Sequence, residues 1–468
     1  MKSVSAWAVI MAVFLTVAAI WFIRATNDFT FNSAGPQGER VVEIRNLTVV
    51  GYRGEERAWK IKAGYTWSGY DKNVGHFENL FEGTLYEEGK IIMNQLRANR
   101  GRGDSQRAWL QAEDGVASDI YLLQDKGVRR MQLSCQKLFY NSTIQRTIVQ
   151  DAVRLKYEGT TIETDEAEID HRTNTVIIHN GFVMWDEQSW VQGQQMEANL
   201  KTQIAVVKSH VSLVMSANVE RGHATTLNCG HMVFTLNEDD GQTVQFRDNV
   251  RFRQHHYDAF AWAGDYDQRS GRLNLQQRIE LALMDTGTVI RCEQLQALLS
   301  TPDQALIWAE FSGRTDIQEQ DKSINARKGS YTVADEALRL TGDVHMTVHQ
   351  FRNLIRKESA DRIDNPQAAD VLSKPAMLDC DYLYLDRKSQ NAEAVGNVLV
   401  VQKEQQARAE RAQYVENEDI IYLDDQVSIM KESGEWVQAD RVVAHLQDEA
   451  FEAMGAVDTQ FILKGKER

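Results

Sequence analysis

The chain has 468 residues, of which 43% are hydrophobic and 25% are charged, and its formal net charge is −15. This composition can bury a sizeable core, which excludes wholesale disorder. The acidic balance argues against a nucleic-acid-binding protein, since that function needs a basic face. The chain contains only 4 prolines, where average usage of about 5% would give roughly 23. Because proline lacks a backbone N–H, its scarcity suits long, uninterrupted hydrogen-bond ladders of helix or sheet.

An 18-residue apolar run, interrupted by one threonine, extends from Ala6 to Ile23 near the N-terminus. At about 1.5 Å per residue it spans roughly 27 Å, enough for the hydrocarbon core of a bilayer. A cleaved signal peptide is the alternative, but Trp21 to Arg24 are bulky residues where cleavage needs small ones. We therefore predict an uncleaved single-pass transmembrane anchor over residues 1–24, with the remainder of the chain exported.

The rest of the sequence is a repeat in which an apolar–x–apolar pair follows a short polar or glycine turn. The first apolar residues of these pairs are Val153, Phe182, Val211, Val250, Ile279, Phe311, Val344, Val398, Val427 and Val457. Five of their nine spacings are 29 or 30 residues, and the departures are mostly longer, as expected for insertions in turns. The sequence therefore predicts a structural unit of about 29 residues.

Within each unit the hydrophobic period is 2. Val153, Leu155 and Tyr157 alternate with basic residues, and the same alternation begins at Ile279 and at Val344. Strict alternation places one set of side chains on one face of a strand, and antiparallel sheets with one wet face give this pattern. We predict an all-β fold, an elongated antiparallel β-jellyroll or β-taco stack of these repeats.

Three short polar segments are compatible with hairpin turns: Asp239 to Gly241, Ser270-Gly271 and Ser433-Gly434. Residues 402–414 have helical composition but occupy the position of a strand in the repeat, so we predict a strand there. The longest gap between anchors contains Phe351 to Pro375, for which we predict a short amphipathic helix followed by a loop.

The four cysteines occupy the same position in their units, 18 to 21 residues before the next apolar anchor: Cys135, Cys229, Cys292 and Cys380. Other units place Gly193, Ala326 or Ala439 there. We therefore predict that cysteine serves as a small buried residue where a strand bends from one sheet to the other. At least one whole unit separates any two cysteines, so their Cα atoms should lie beyond the roughly 7 Å limit for a disulfide, and we predict four free thiols.

The sequence contains no H-E-x-x-H, G-x-S-x-G, Walker or paired C-x-x-C motif. Two groups could suggest metal ligands: His255-His256 with Asp258, and His223 with Cys229 and His231. The first lies in an expected turn, where solvated histidines are common, and the second includes the small-residue position. We predict no enzymatic activity, no catalytic residue, no cofactor and no metal site.

Residues 41–101 resemble the LptC family of lipopolysaccharide export. The similar features are a strand from Glu55 to Ala63 that contains Trp59, the segment ENLFEGTLYEEG and the strand LRANRG. The later units, with G-D-V at 342–344 and G-N-V at 396–398, are similar to the related LptA/OstA-like domain. The resemblance implies a β-jellyroll component of the lipopolysaccharide export bridge, anchored in the inner membrane with the bulk of the chain in the periplasm.

The same resemblance implies a division of the chain and a set of partners. The units are the anchor at 1–24, an LptC-like β-jellyroll at 25–220, OstA-like repeats at 221–349, an insertion at 350–375 and OstA-like repeats at 376–468. The implied partners are lipopolysaccharide, an inner-membrane ABC transporter of permease and ATPase, and an LptA-like bridge protein or outer-membrane partner joined by β-strand addition. The first β units would face the permease, and the last would face the distal partner.

The inward apolar residues are the candidates for contact with acyl chains: Val153, Leu155, Phe182, Met184, Val211, Leu213, Val250, Phe252, Ile279, Leu281, Val344, Met346, Val398, Val427 and Ile429. Plain core packing is the alternative for each, and the opposite strand face would line a groove if the register differs by one residue. Periodicity alone does not separate a groove from a core. Two other functions therefore stay open: a structural or adhesive β-solenoid with a dry core, and a surface carbohydrate enzyme.

Overall fold

The computed structural model describes residues 42–124, 127–187, 189–215, 224–235, 243–300, 305–349, 374–403, 405–418, 420–445 and 450–461. The predicted anchor, nearly all of the predicted insertion and the predicted turn at Asp239 to Gly241 lie outside these ranges. Within them, no helix is long and apolar enough to cross a membrane.

The described chain is almost entirely β-strand, with a short 3-10 helix at Glu416–Glu418. The strands are β1 (Val42–Arg53), β2 (Glu56–Ser68), β3 (Val74–Glu87), β4 (Lys90–Asp104), β5 (Trp109–Gln124), β6 (Gly127–Asn141), β7 (Arg146–Tyr157), β8 (Thr160–Asp170), β9 (Thr175–Ile178), β10 (Phe182–Trp185), β11 (Ser189–Gly193), β12 (Gln195–Asn199), β13 (Ile204–Met215), β14 (Thr225–Thr235), β15 (Thr243–Arg253), β16 (Tyr257–Asp267), β17 (Arg272–Leu283), β18 (Thr288–Leu299), β19 (Leu306–Gln318), β20 (Lys322–Thr332), β21 (Ala337–Val348), β22 (Ala376–Asp386), β23 (Asn391–Gln402), β24 (Gln405–Val415), β25 (Ile420–Lys431), β26 (Trp436–His445), β27 (Ala450–Met454) and β28 (Asp458–Gln460). The all-β antiparallel prediction is confirmed for these residues.

All 28 strands belong to one antiparallel sheet in which neighbours in sequence are neighbours in space. The pairs β9/β10, β11/β12 and β27/β28 are each one strand interrupted at its middle, because both members pair with the same neighbouring strands. The sheet therefore has 25 rungs, which at about 4.8 Å per rung make a body roughly 115 Å long. Pairing continues across the predicted unit boundaries, since β13 pairs with β14 and β21 pairs with β22.

Alternate rungs bend at a two-residue corner in the left-handed region. Ser209 and His210 have φ values of 63° and 55°, and together they face the single residue Gly230 of the next strand. The extra residue turns both corner side chains outward and bends the strand. The same geometry precedes Val250, where φ is 69° at Asp248 and 58° at Asn249.

These corners correct one sequence expectation. The polar or glycine dipeptides before the apolar anchors, such as Gly342-Asp343 and Gly396-Asn397, are bends within strands rather than turns between them. Polar residues and glycine suit this position because they adopt positive φ most readily. True hairpin turns occur where predicted at Ser270-Gly271 and Ser433-Gly434. The segment with helical composition forms β24, as predicted from its place in the repeat.

The rung between two such corners bends at a small buried residue. The cysteines occupy this position beside the register shifts, for example Cys229 between Asn228 and His231. All four cysteines are buried and free. Burial raises the pKa of each thiol to about 12. The prediction of free, buried cysteines in the small-residue position at the strand bends is confirmed.

The bends fold the sheet along its length, so that one face of the sheet becomes an interior. Pairing across β3, β4, β5 and β6 places Tyr140 level with Gly75 of β3. Tyr86 is 11 positions farther along β3, so a straight strand would separate Tyr86 from Gly75 by about 36 Å. Yet the Tyr140 hydroxyl lies 3.0 Å from the Tyr86 carbonyl oxygen. The two halves of the folded sheet are called arm A, with the strand ends at Arg53 and Glu87, and arm B, with the strand ends at Asp104, Asn141 and Asp170.

Most side chains in the interior between the arms are apolar. One cluster of buried hydrophobic side chains runs from Ala58 in β2 to Val398 in β23. A second cluster occupies the C-terminal rungs: Ala409, Leu423, Val427, Ala439 and Val442. Of the four prolines, Pro375 is the one within the described ranges, and it directly precedes β22. This position agrees with a repeat that excludes proline from its ladders.

Candidate functional site

The candidate residues named from the sequence share one face of the sheet, the face that lines the interior. Fourteen of them are buried: Val153, Leu155, Phe182, Met184, Val211, Leu213, Val250, Phe252, Ile279, Leu281, Val344, Met346, Val398 and Val427. Ile429 is partly buried and packs against the second cluster. The structure brings them together along one interior, and their contact with acyl chains stays a prediction.

The interior is filled by side chains that meet from the two arms. Trp59 lies opposite Leu85 on β3 whereas Phe77 lies eight positions away on that strand, yet their rings meet edge to face at 6.2 Å. Sequence reasoning placed Trp59 in a strand but did not identify Phe77 or Tyr140 as core residues. A sequence feature that marks the space beside Phe77 is Gly75, where a Cβ atom would lie 3.4 Å from the Phe77 ring.

The free edges of arm A and arm B, called the lips, meet at a polar cluster near the N-terminal end. This first seam contact consists of Arg53 and Glu87 from arm A, and Tyr140, Ser142 and Gln145 from arm B. Arg53 Nη1 donates to Glu87 Oε1 at 2.5 Å and to the Ser142 carbonyl at 2.7 Å. Gln145 Nε2 donates to Glu87 Oε1 at 2.6 Å. Glu87 is thus a buried carboxylate held by both lips.

The electrostatics of the first seam contact follow from its burial. Burial alone would lower the pKa of Arg53, but the hydrogen bond and negative charge of Glu87 outweigh it and the pKa is raised. Burial also raises the pKa of Tyr140. Arg53 therefore stays charged and Tyr140 stays protonated at neutral pH, which keeps every donor of the contact in place.

A second seam contact joins the lips farther along. Arg387, at the end of β22 on arm B, donates from Nη2 to Thr288 Oγ1 of arm A at 2.9 Å and pairs with Glu319. Thr288 and Leu298 lie ten positions apart, at opposite ends of β18. Strand-by-strand pairing connects Leu298 with the arm B ends of β21 and β22, so Thr288 belongs to arm A. Lys322 Nζ completes the contact at 3.0 Å from Glu319.

Between the two seam contacts the arms meet through aromatic side chains. The Phe252 ring from arm A stacks on Tyr257 at 6.0 Å and lies 6.4 Å from Tyr266 of arm B. The Tyr266 hydroxyl is buried with no hydrogen-bond partner, and burial raises the pKa of Tyr266 to about 12. At the N-terminal end the Tyr52 N–H of arm A also donates to the Ser105 carbonyl of arm B at 3.4 Å. The described residues therefore show lips joined at separate places, mostly by side chains, and no backbone ladder runs along the seam.

A cavity of about 190 Å³ opens in the seam beside the first seam contact. This cavity, called the notch, is lined from arm A by Glu87, Glu88, Lys90, Ile92 and Tyr121, and from arm B by Gln145, Ile169, Asp170, His171, Arg172, Asn174 and Leu200. Its apolar members Ile92, Ile169 and Leu200 belong to the interior cluster. The notch therefore connects the solvent-facing seam with the apolar interior.

One histidine of the notch is held in its neutral form. The His171 ring lies 2.7 Å from Thr147 Oγ1 and edge-on to Tyr140 at 6.2 Å. Burial lowers the pKa of His171 to about 4, and the nearby Asp170 opposes this only in part. A neutral imidazole is the expected state against a largely apolar floor.

The two ends of the sheet carry strands with one unpaired edge. Within the described ranges β1 pairs with β2 alone, and β27 and β28 pair with β26 alone. Val42 and Ile44 on β1 are 46% and 43% exposed, and Phe451 on β27 is 53% exposed. Such edges can accept a further strand.

The groups that could suggest a metal site are used otherwise. Asp258 binds Arg251 and Arg253, and His256 Nδ1 lies 2.8 Å from Asp285. Cys229 points into the interior, whereas Met232, not His231, takes the next inward position after the bend. No cluster of three or more histidine, cysteine or acidic side chains suited to a metal ion occurs among the described residues.

No family model matches the sequence, and no curated protein matches it. Among solved structures, the chain is similar to the crystal structure of LptH, described as the LptA homologous periplasmic component of the conserved lipopolysaccharide transport device from Pseudomonas aeruginosa. The sequences are 10% identical, the match covers 38% of this chain and 97% of that chain, and the TM-score is 0.18. At that score the match carries no inference about fold or function.

Proposed function

We propose that this chain is a periplasmic, inner-membrane-anchored component of the lipopolysaccharide export bridge, and that its interior shields acyl chains from water. The observation that carries the proposal is the interior itself. It runs as one apolar cluster from Ala58 to Val398 between lips that are joined by separate hydrogen bonds and ion pairs rather than by a continuous backbone ladder. The membrane anchor rests on the apolar run from Ala6 to Ile23, and the identity of the lipid rests on the sequence resemblance.

The physics of the seam supports a lipid-accepting interior. A hydrogen-bonded ladder along both lips would lock a closed barrel, whereas separate side-chain contacts can break one at a time. An acyl chain between the arms would keep both inner faces away from water, so the opening would cost mainly the seam contacts. Each buried methylene contributes about 0.8 kcal/mol, so a chain of a dozen carbons gains on the order of 10 kcal/mol before ordering costs.

The unpaired edges support a bridge with other β-proteins at both ends. The β1 edge lies nearest to the predicted anchor in the sequence, and we assign it to the ABC transporter side. The β27 and β28 edge would receive an LptA-like protein or an outer-membrane partner. Strand addition at such edges supplies backbone hydrogen bonds without a dedicated side-chain interface.

The competing function is a structural or adhesive β-solenoid with a dry core. The near-zero exposure of Val250 and Phe252 fits that reading equally. The difference lies in what the arms enclose when the protein works: side chains alone, or side chains and lipid.

Site-specific photocrosslinking separates the two. A photoreactive residue at Phe182 or at Val250 faces the interior, and one at Trp262, which is 41% exposed on the outer face of β16, is the matched control. We expect lipopolysaccharide adducts of the full chain in a Gram-negative cell from the two inner positions and none from Trp262. Folded protein with no adduct from either inner position would support the dry core.

A further inference from the structure

We propose that the notch is the binding site at which one phosphate-bearing acyl lipid enters the interior, with its chain on the apolar floor and its anionic head between Lys90 and Arg172. This proposal rests on the lipid-shielding function and adds where the lipid passes the seam and which residues receive its head.

The notch lies between the two lips. The row of paired residues that contains Asp170 reaches β3 at Val74. Glu87 lies 13 positions farther along β3, about 43 Å in a straight strand. Both line the same cavity, so the cavity lies across the seam and is not a surface depression of one arm. The larger depression of about 370 Å³ at Gln276, Gln277, Arg278, Glu293 and Gln294 lies on the outer face and touches no interior residue.

The floor of the notch is apolar. Ile92, Ile169 and Leu200 are 5%, 1% and 5% exposed and contact the interior cluster from opposite arms. An acyl chain that enters between them meets hydrocarbon from its first buried carbon onward. The neutral form of His171 adds no charge that the chain would have to pass.

The rim of the notch carries charged side chains from both arms. Two carboxylates of the lining are already held, since Glu87 pairs with Arg53 at 2.5 Å and Asp170 lies 3.5 Å from Arg146 Nε. The two cations of the lining are exposed on opposite lips: Lys90 has no carboxylate within ion-pair distance among the described residues, and Arg172 only reaches Asp170 at 4.0 Å. The lining therefore offers one ammonium from arm A and one guanidinium from arm B, which are groups suited to a phosphate, beside one further exposed carboxylate, Glu88.

The test uses a photoreactive residue at Tyr121, on the arm A side of the notch, in the full chain. The cells are labelled either with [32P]phosphate or with [14C]acetate, and the same residue at Val250 reports on the interior. We expect Tyr121 adducts that carry both labels. A 14C adduct without 32P would overturn the anionic head, and a 32P adduct without 14C would show bound free phosphate and overturn the lipid.

The failure of this proposal can be told from the failure of the function. Adducts from Val250 with none from Tyr121 would overturn the notch and leave the lipid-shielding interior in place. Folded protein with adducts from neither position would overturn both the notch as a binding site and the lipid-shielding function.

The chain offers a matched control for the rim charge. Arg172 and Arg269 follow Asp170 and Asp267 in the same kind of turn, in which the aspartate Oδ1 accepts the backbone N–H of the arginine at 3.0 Å and 2.9 Å. We expect Arg172→Glu to lower the yield of the Tyr121 adduct at least threefold and Arg269→Glu to leave it unchanged. Equal yields in the two variants would contradict the role of Arg172.

Discussion

At the scale of single residues, the bend positions explain why cysteine occurs in a chain without disulfides. Each cysteine fills a buried position at a strand bend that other units fill with glycine or alanine, and the Lys137 carbonyl lies 3.2 Å from Cys135 Sγ. The sequence alone revealed this, because the position recurs at constant phase. Buried residues with no such phase, such as Tyr140, were not identifiable in advance.

The burial of the thiols predicts their reactivity. With pKa values near 12 for Cys135, Cys229, Cys292 and Cys380, the thiolate is rare at pH 8, and the native protein should react with a thiol reagent only as it unfolds. In denaturant without reductant, we expect four thiols per chain. A count below four would reveal a disulfide.

The small space at the strand bend limits the size of the side chain at position 292. Cys292 is 6% exposed and sits against Ile279 of the next rung. Cys292→Ala should change the free energy of unfolding by less than about 1 kcal/mol, whereas Cys292→Leu should overpack the bend and cost about 1 to 3 kcal/mol. Chemical denaturation of both variants measures this, and equal stability would show that the position is not tightly packed.

The partly buried His171 makes stability depend on pH. The pKa of His171 is about 4 in the folded chain and about 6.5 when unfolded, so the stability present above pH 6.5 is lost as the pH falls towards 4. We expect this residue to lower the free energy of unfolding by about 1 to 2 kcal/mol between pH 7 and pH 5. His171→Gln should remove that decrease, and His256→Gln, in an exposed turn, should not. Identical pH profiles for all three proteins would contradict the assignment.

At the scale of the strand, each rung is one strand bent near its middle rather than two strands joined by a turn. Alternation predicted the strands and their inward faces correctly from Val153 to Val427, whereas the last predicted anchor, Val457, is 46% exposed and lies between β27 and β28. The bends were read as turns, because polar dipeptides such as Gly396-Asn397 are compatible with both. The deciding feature is the register of the neighbouring strand, which one sequence does not show.

The corner conformation can be tested at Asn249, whose φ is 58° and whose side chain is exposed. Asn249→Gly should be nearly neutral, since glycine adopts positive φ without strain. Asn249→Val should destabilise by about 1 to 2 kcal/mol, the cost of a left-handed conformation for a branched residue. Equal unfolding midpoints for the two variants would mean that the corner is not held at positive φ.

At the scale of the whole molecule, the chain is one long folded sheet. Its repeat and its proline scarcity indicated a long ladder, but the sequence did not indicate that the lips would meet. That contact depends on residues such as Glu87 and Gln145, which are 58 positions apart and follow no repeat. Long-range closure of this kind has no local signature.

The length of the body is a direct consequence of the rung count. We expect small-angle scattering of the full chain to give a long dimension of at least about 115 Å, from 25 rungs at about 4.8 Å each. A maximum dimension near that of a globular protein of the same mass would contradict the single continuous sheet.

The lipid-shielding function requires that the arms enclose lipid as well as side chains. The most direct measurement is a cryo-electron microscopy reconstruction of the full chain with its lipopolysaccharide transport partners, viewed at the aromatic contact of Phe252 and Tyr266. We expect arms farther apart there than the roughly 10 Å of packed sheets, with rod-shaped density between them. Arms at the packed distance with side-chain density alone, in a complex that is transporting lipid, would contradict it.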